Sequence, residues 1–152
     1  MARLRDESEW DGGAPEDRMS LYLAGMHHPQ HAQAVRIAFL AEADGMLIGY
    51  IAGHLTTRFG CHGELQWALV APHRRGSPAA AGLLVRLAGW FATHHSRRVC
   101  VNVEPDNLRA RRFYRRNGAV ELSTYWLVWP DIAVLCMGPA EPPYVLSDLN
   151  KR

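Results

Sequence analysis

Apolar and polar positions change their period several times along the chain, and each change marks an element. From Glu64 to Val70 the run E-L-Q-W-A-L-V alternates and is rich in strand formers, which predicts a strand. The next residues, A-P-H-R-R-G-S-P, form a short basic turn in which Ser77 is a good N-cap. Pro78 falls at the first predicted helical position, where its missing N–H costs nothing. Apolar residues then recur at Ala80, Leu83, Leu84, Leu87, Ala88 and Phe91, the spacing of one buried helical face. The centre of the chain therefore reads as strand, basic turn and helix.

Upstream, a short strand is expected around Arg3 to Arg5, and the pattern from Pro15 predicts a helix ending by His28, ahead of Pro29. Val35 to Glu42 and Met46 to Leu55 read as strands joined by an Asp44-Gly45 hairpin turn. Downstream, Val99 to Val103 is a buried-looking strand. One crossover helix separates it from the Glu64 strand, so the two should lie parallel. In E-P-D-N-L-R-A-R-R-F-Y-R-R-N-G, Asp106 or Asn107 can cap a helix and Asn117-Gly118 can end it, with Ala110, Phe113, Tyr114 and Asn117 on one face. Ala119 to Leu122 and Tyr125 to Trp129 are the last expected strands, and Pro130 stops the second. The tail from Gly138 carries three prolines and no clear period, so no element is assigned to it. This is an α/β (α+β) pattern: one domain over residues 1–152, with a mixed, mostly antiparallel twisted sheet flanked by helices.

Composition narrows the function less than the pattern does. A chain of 152 residues with 48% hydrophobic residues can build one real core. A net charge of +2 gives no whole-chain argument for nucleic acid, although a local basic patch can hold an anionic ligand. Cys61, Cys100 and Cys136 are odd in number and lack a C-x-x-C pair, which fits a reduced cytoplasm better than zinc or redox chemistry. The charged N-terminus and the lack of a long apolar run predict neither a signal peptide nor a membrane span. His27, His28 and His31 lack a partner motif and flank Pro29, so surface histidine rather than a metal site is expected.

Two adjacent parallel strands, each leading into a helix, create a crevice where ligands of open α/β sheets bind. Arg74, Arg75 and Gly76 beside a helix N-terminus suit a phosphate there; an ordinary connection with solvated arginines is the alternative. On V-A-P-H-R-R-G-S-P-A-A-A-G-L-L, Val70 to Leu84, and N-L-R-A-R-R-F-Y-R-R-N-G, Asn107 to Gly118, the sequence resembles the GNAT-type N-acetyltransferase superfamily over residues 35–130. The resemblance implies acetyl-CoA as co-substrate, no metal, and direct acyl transfer to a primary amine on a small molecule or peptide. It implies that Arg75, Gly76, Ser77, Ala79 and Ala80 hold the CoA pyrophosphate. Pro78 stands where a glycine is expected and removes one amide donor. It also implies that the strand end at Ala68, Leu69 and Val70 splays from its neighbour to pair with pantetheine, that Asn107 bonds the pantetheine arm, and that Tyr114 lies near the thioester sulfur.

Acyl transfer needs a route for the amine proton, a donor for the developing oxyanion and an acid for the departing thiolate. Tyr114 suits the acid by position, a backbone N–H near Val70 suits the oxyanion, and the resemblance implies Glu64, at the head of the central strand, as the candidate base. On the residues alone, Tyr114 also reads as core and Glu64 as a solvated strand-end carboxylate. Glu104 is the rival base, or simply helix-cap electrostatics. Arg109, Arg112 and Arg116 share a face that could meet nucleotide phosphates, although a solvated face accounts for most of the patch formed with Arg111 and Arg115. Cys100, inside a buried strand, is not expected to be a nucleophile. Tyr50, Trp67, Tyr125, Trp126 and Trp129 line either an acceptor pocket or the core. The expected function is acetyl-CoA-dependent N-acetylation of an unidentified primary amine; a non-catalytic acyl-CoA sensor is the alternative. No nucleic-acid or membrane partner is expected, and a homodimer is compatible with the reading.

Overall fold

Asp44 and Gly45 both adopt positive φ, 54° and 75°, the geometry of a tight hairpin turn that matches strand twist. In the computed structural model, which describes residues 15–26, 28–137 and 145–148, this turn joins β1, Ala32–Ala43, to β2, Met46–Thr56. β3, Gly63–Val70, continues the antiparallel run, and α2, Ala79–Thr93, crosses back so that β4, Val99–Asn102, lies parallel to β3. α3, Leu108–Arg116, then leads into β5, Val120–Ser123, and β6, Trp126–Trp129. Among the described residues the sheet has seven strands in the order β5-β6-β4-β3-β2-β1-β7. Each expected strand within the described residues is present with its ends shifted by a few residues; the one expected at Arg3 to Arg5 lies outside them.

The first helix, α1, covers Pro15–Leu23 and so ends before His28, as expected. Gly25 explains the stop: at φ +80° it lets its own N–H reach the Tyr22 carbonyl at 3.1 Å and the Met26 N–H reach that of Leu21 at 2.9 Å, a Schellman closure. The tail, to which the sequence assigned no element, contributes a strand. β7, Val145–Asp148, pairs antiparallel with Phe39 to Glu42 of β1; a four-residue edge strand joined through backbone bonds is too short to show a period.

The sheet has two differently dressed faces. On one, Leu83, Leu84, Leu87, Ala88 and Phe91 of α2 and Ala110, Phe113 and Tyr114 of α3 pack over Leu65, Ala68, Val99 and Val101. On the other, Met19 and Tyr22 of α1 cover Ala38, Leu40, Tyr50, Trp67 and Leu69. Among the described residues no helix is long and apolar enough to cross a membrane.

Close approach of α2 to the sheet sets one requirement. A Cβ at Gly63 would lie 2.4 Å from the buried Phe91 ring. Gly63→Ala is therefore expected to destabilise the fold by about 1–3 kcal/mol, as overpacking does. Urea unfolding checks this; an unchanged midpoint would show that the ring yields without cost.

Candidate active site where the parallel strands part

β3 and β4 pair only at Gly63 with Val99, Glu64 with Cys100 and Leu65 with Val101; β3 then runs on to Val70 with no partner in β4. The direction of the backbone along this extension follows from alternation. The Ala71 N–H reaches the Ile48 carbonyl of β2 at 2.8 Å, and Leu69 sits opposite Tyr50. Leu69 thus turns its backbone to β2, while Ala68 and Val70 direct theirs to the edge that β4 has left. Of the three predicted pantetheine-pairing residues, these two face the wedge.

The wedge leads to a basic cavity of about 570 Å³. Val70, Gly76, Ser77, Ala80 and Phe113 form its walls, Arg74, Arg75, Arg109, Arg112 and Arg116 surround it, and among the described residues no acidic side chain lines it. Gly76 holds φ +83°, a conformation that favours glycine, and so bends the turn back toward the start of α2. Pro78, expected as the first helical residue, is instead the cap: its carbonyl accepts the Gly82 N–H at 2.9 Å, and the helix begins at Ala79. Ser77 Oγ accepts the Ala79 N–H at 3.4 Å. Ala79 is itself buried, so only its backbone can serve a ligand. A helix N-terminus ringed by guanidinium groups is suited to phosphates, so the residues present fit the CoA pyrophosphate.

The basic patch on α3 divides. Arg109, Arg112 and Arg116 face the cavity, as one expected reading allowed. Arg111 turns inward, 6% exposed, donating to the Val103 and Thr124 carbonyls at 3.3 and 3.2 Å and to Glu121 Oε1 at 2.8 Å. It ties α3 to β4 and to the β5–β6 hairpin, so the solvated reading does not hold for it. Asn107 caps α3, its Oδ1 accepting the Ala110 N–H at 3.2 Å, and lies outside the cavity lining.

Tyr114 is fully buried, with its ring edge-on to Trp129 at 5.5 Å. It does not line the cavity, but its neighbours Phe113 and Asn117 do. Glu64 is 2% exposed, which removes the solvated strand-end reading. Arg58 Nε donates to its Oε1 at 2.9 Å, and His54 Nε2 lies 3.8 Å from its Oε2. The Arg58 guanidinium also covers Trp126 at 4.6 Å. His54 Nδ1 in turn bonds the Tyr22 hydroxyl at 2.7 Å, and Arg36 donates to the Tyr22 carbonyl at 2.8 Å and bonds His28.

Burial pushes the Glu64 carboxyl above its usual range, against the opposing pull of Arg58. Burial, aided by Arg36 and Arg58, pushes His54 down to about 3, so its imidazole is neutral near pH 7. The Glu104 carbonyl accepts the Asn107 N–H at 3.0 Å, within the cap of α3. Cys100 is fully buried and its thiol reaches the Gly63 carbonyl at 3.7 Å. A hydrogen bond with Cys61 and burial hold that thiol protonated, which agrees with its expected inertness.

Sequence reading missed Tyr22, His54 and Arg58 as neighbours of Glu64. The available signal was polar residues interrupting apolar strands, His54 in β2 and Glu64 and Gln66 in β3. Among the described residues no cluster that could hold a metal is found; His27 lies outside them.

The comparisons agree with this geometry. The model of the acetyltransferase (GNAT) family matches residues 2–119. No curated protein sequence matches the chain. A structure from Desulfovibrio desulfuricans described as a GNAT-family acetyltransferase has a TM-score of 0.60 at 20% identity, over 79% of this chain and 81% of the other. One from Klebsiella pneumoniae described as an acyl-CoA N-acyltransferase has a TM-score of 0.57 at 17% identity, over 89% and 86%. The PaiA N-acetyltransferase of Thermoplasma acidophilum, solved in complex with coenzyme A, has a TM-score of 0.53 at 21% identity, over 60% and 58%. With the splayed parallel strands and the basic turn at the head of α2, the match over most of its length shows that this chain belongs to the GNAT family of acetyltransferases.

Proposed function

We propose that the protein is an acetyl-CoA-dependent N-acetyltransferase that acts on a primary amine by direct transfer. The observation that carries this reading is the wedge, whose Ala68 and Val70 backbone edge opens into a cavity ringed by arginines. The Thermoplasma acidophilum relative with bound coenzyme A supports the choice of co-substrate. In this reading the Gly76 and Ala80 amides, with Arg75, hold the pyrophosphate, joined by those of Ser77 and Ala79 once these leave the Arg74 carbonyl and Ser77 Oγ. The Ala68 and Val70 edge of β3 carries the pantetheine arm toward Asn107, Leu69 being turned to β2. Pro78 contributes no amide.

Acetyl-CoA, when bound, supplies a thioester whose acyl carbon is open to attack. The Val70 N–H donates to the acyl oxygen, where negative charge develops. Glu64 takes the proton the amine sheds as its nitrogen bonds the acyl carbon, and its raised affinity for protons makes it a stronger base than an exposed carboxylate. Tyr114 gives its hydroxyl proton to the sulfur as the carbon–sulfur bond breaks. The free cysteines fit a reducing cytoplasm.

CoA alone tests the foundation of this reading. At 100 times its dissociation constant it should stabilise the fold by about 2.7 kcal/mol, a rise of roughly 5–10 °C in Tm for a chain of this size. High salt should shrink the rise, because the exposed part of the arginine–phosphate attraction is screened. No shift at millimolar CoA at low salt would overturn the reading.

A further inference from the structure

We propose that the carboxamides of Gln66 and Asn102 form the acceptor end of the site and select a primary amine with a neutral oxygen two carbons away, as in a 2-amino alcohol or an α-amino amide. This deepens the acetyl-transfer reading and rests on it.

The two residues occupy the apex of the wedge. The last β3–β4 pair is Leu65 with Val101, so Gln66 and Asn102 are the first residues beyond it on the two strands. Gln66 is also the extra residue of a bulge: β2 advances from Ala52 to Gly53 while β3 covers Trp67 and Leu65. Leu65 and Val101 belong to the core on the α2 face, so Gln66 and Asn102, each one residue on, turn to the opposite face, that of Glu64, and the extra residue of the bulge leaves Trp67 and the α1 core on that same face. The face that carries the candidate base therefore also carries both carboxamides.

Both are more than nine-tenths buried, at 1% and 7% exposure. Among the described residues Gln66 Nε2 and Oε1 and Asn102 Oδ1 have no hydrogen-bond partner. Burying unpartnered amide atoms is costly, and natural structures rarely do so without a reason. A ligand that completes the bonds recovers that cost on binding.

The atoms describe the ligand. Gln66 Oε1 and Asn102 Oδ1 accept, and Gln66 Nε2 donates. A neutral primary amine offers two N–H groups, one to each oxygen, and keeps its lone pair for the acyl carbon. The Gln66 amide then still presents a donor beside its acceptor. Such an adjacent pair matches an amine nitrogen and an oxygen separated by two carbons, and a simple alkylamine would leave the Gln66 N–H buried and unpaired.

Ethanolamine, alaninamide and n-propylamine are the probes, assayed with acetyl-CoA by thiol release and with a CoA melting shift run in parallel. The wild type should acetylate ethanolamine or alaninamide with kcat/KM about 10- to 100-fold above n-propylamine, the scale of leaving a buried polar group unpaired. Gln66→Met should bring that ratio to within about threefold of one, without lowering Tm, because an unpartnered buried amide contributes no stability to the free protein. Asn102→Leu, which removes an acceptor of the amine N–H but leaves the Gln66 carboxamide in place, should raise KM for every probe acetylated and leave the preference in place. n-Propylamine performing within about threefold of both oxygenated probes would overturn the proposal. So would acetylation of none of the three, or a Gln66→Met protein of lower Tm and unchanged preference, the signature of a structural amide. Each of these counts against the acceptor assignment alone if CoA still raises Tm; loss of that shift in the wild type counts against the acetyl-transfer reading itself.

Discussion

Tyr114→Phe should lower kcat by about 100- to 10,000-fold, the usual contribution of a positioned general acid, while CoA affinity stays within about threefold. The substitution isolates one atom. The ring lies edge-on to Trp129 at 5.5 Å and against Phe113 at 5.6 Å, and phenylalanine preserves both contacts. Packing of α3 against the sheet is thus kept while the hydroxyl proton is withdrawn. Thiol-release kinetics at saturating amine, with a CoA melting shift as control, reads the result. Activity within twofold of wild type would return Tyr114 to the core as a purely packing residue.

Glu64→Gln should reduce turnover by about 100-fold or more at pH 7 and remove the acidic limb of the pH–rate profile. The wild-type rate falls as pH drops through the raised Glu64 pKa, because a protonated carboxyl cannot accept the amine proton; glutamine has no such limb. Stability should move as well. Burial makes the ionised carboxylate the costly form, so the folded pKa lies above the unfolded one, and the stability Glu64 supplies is fully present below about pH 4.3. That stability is lost as pH rises through the folded pKa. The difference in unfolding free energy should therefore shift in favour of the glutamine variant between pH 4 and pH 7, the pull of Arg58 on the ionised carboxylate only partly offsetting its burial. Urea unfolding at both pH values checks the sign. An unchanged rate profile would shift attention to Glu104 or to the substrate's own ionisation.

What the chain showed in advance was mostly local chemistry. The Asp44-Gly45 turn fixed the hairpin because both residues accept positive φ, and Asn107 and Gly118 bracketed α3 because one caps and the other, at φ +100°, releases the chain. The basic turn was readable because arginines and a glycine preceded a helical period. The surroundings of Glu64 were not readable. They depend on pairing Glu64 with His54 across β2 and with Cys100 across β4, and on a bulge at Gln66 that no local rule announces. Arg111 was misread for a related reason: its partners are the carbonyls of Val103, just past β4, and of Thr124 in the β5–β6 hairpin, which no pattern on its own helix announces.

The pairing of β7 with β1 has a consequence for how the molecule behaves among copies of itself. A sheet edge is a template on which any extended chain can crystallise its backbone. Phe39 to Glu42 lies toward the C-terminal end of the twelve-residue β1, and residues 145–148 occupy its outer hydrogen-bonding row. Docked there, four residues do for self-association what a stopper does for a bottle. Their grip rests on a few ladder bonds at the rim of the fold, so the event that first exposes this protein to aggregation need not be unfolding of its core; the peeling of one short strand is enough.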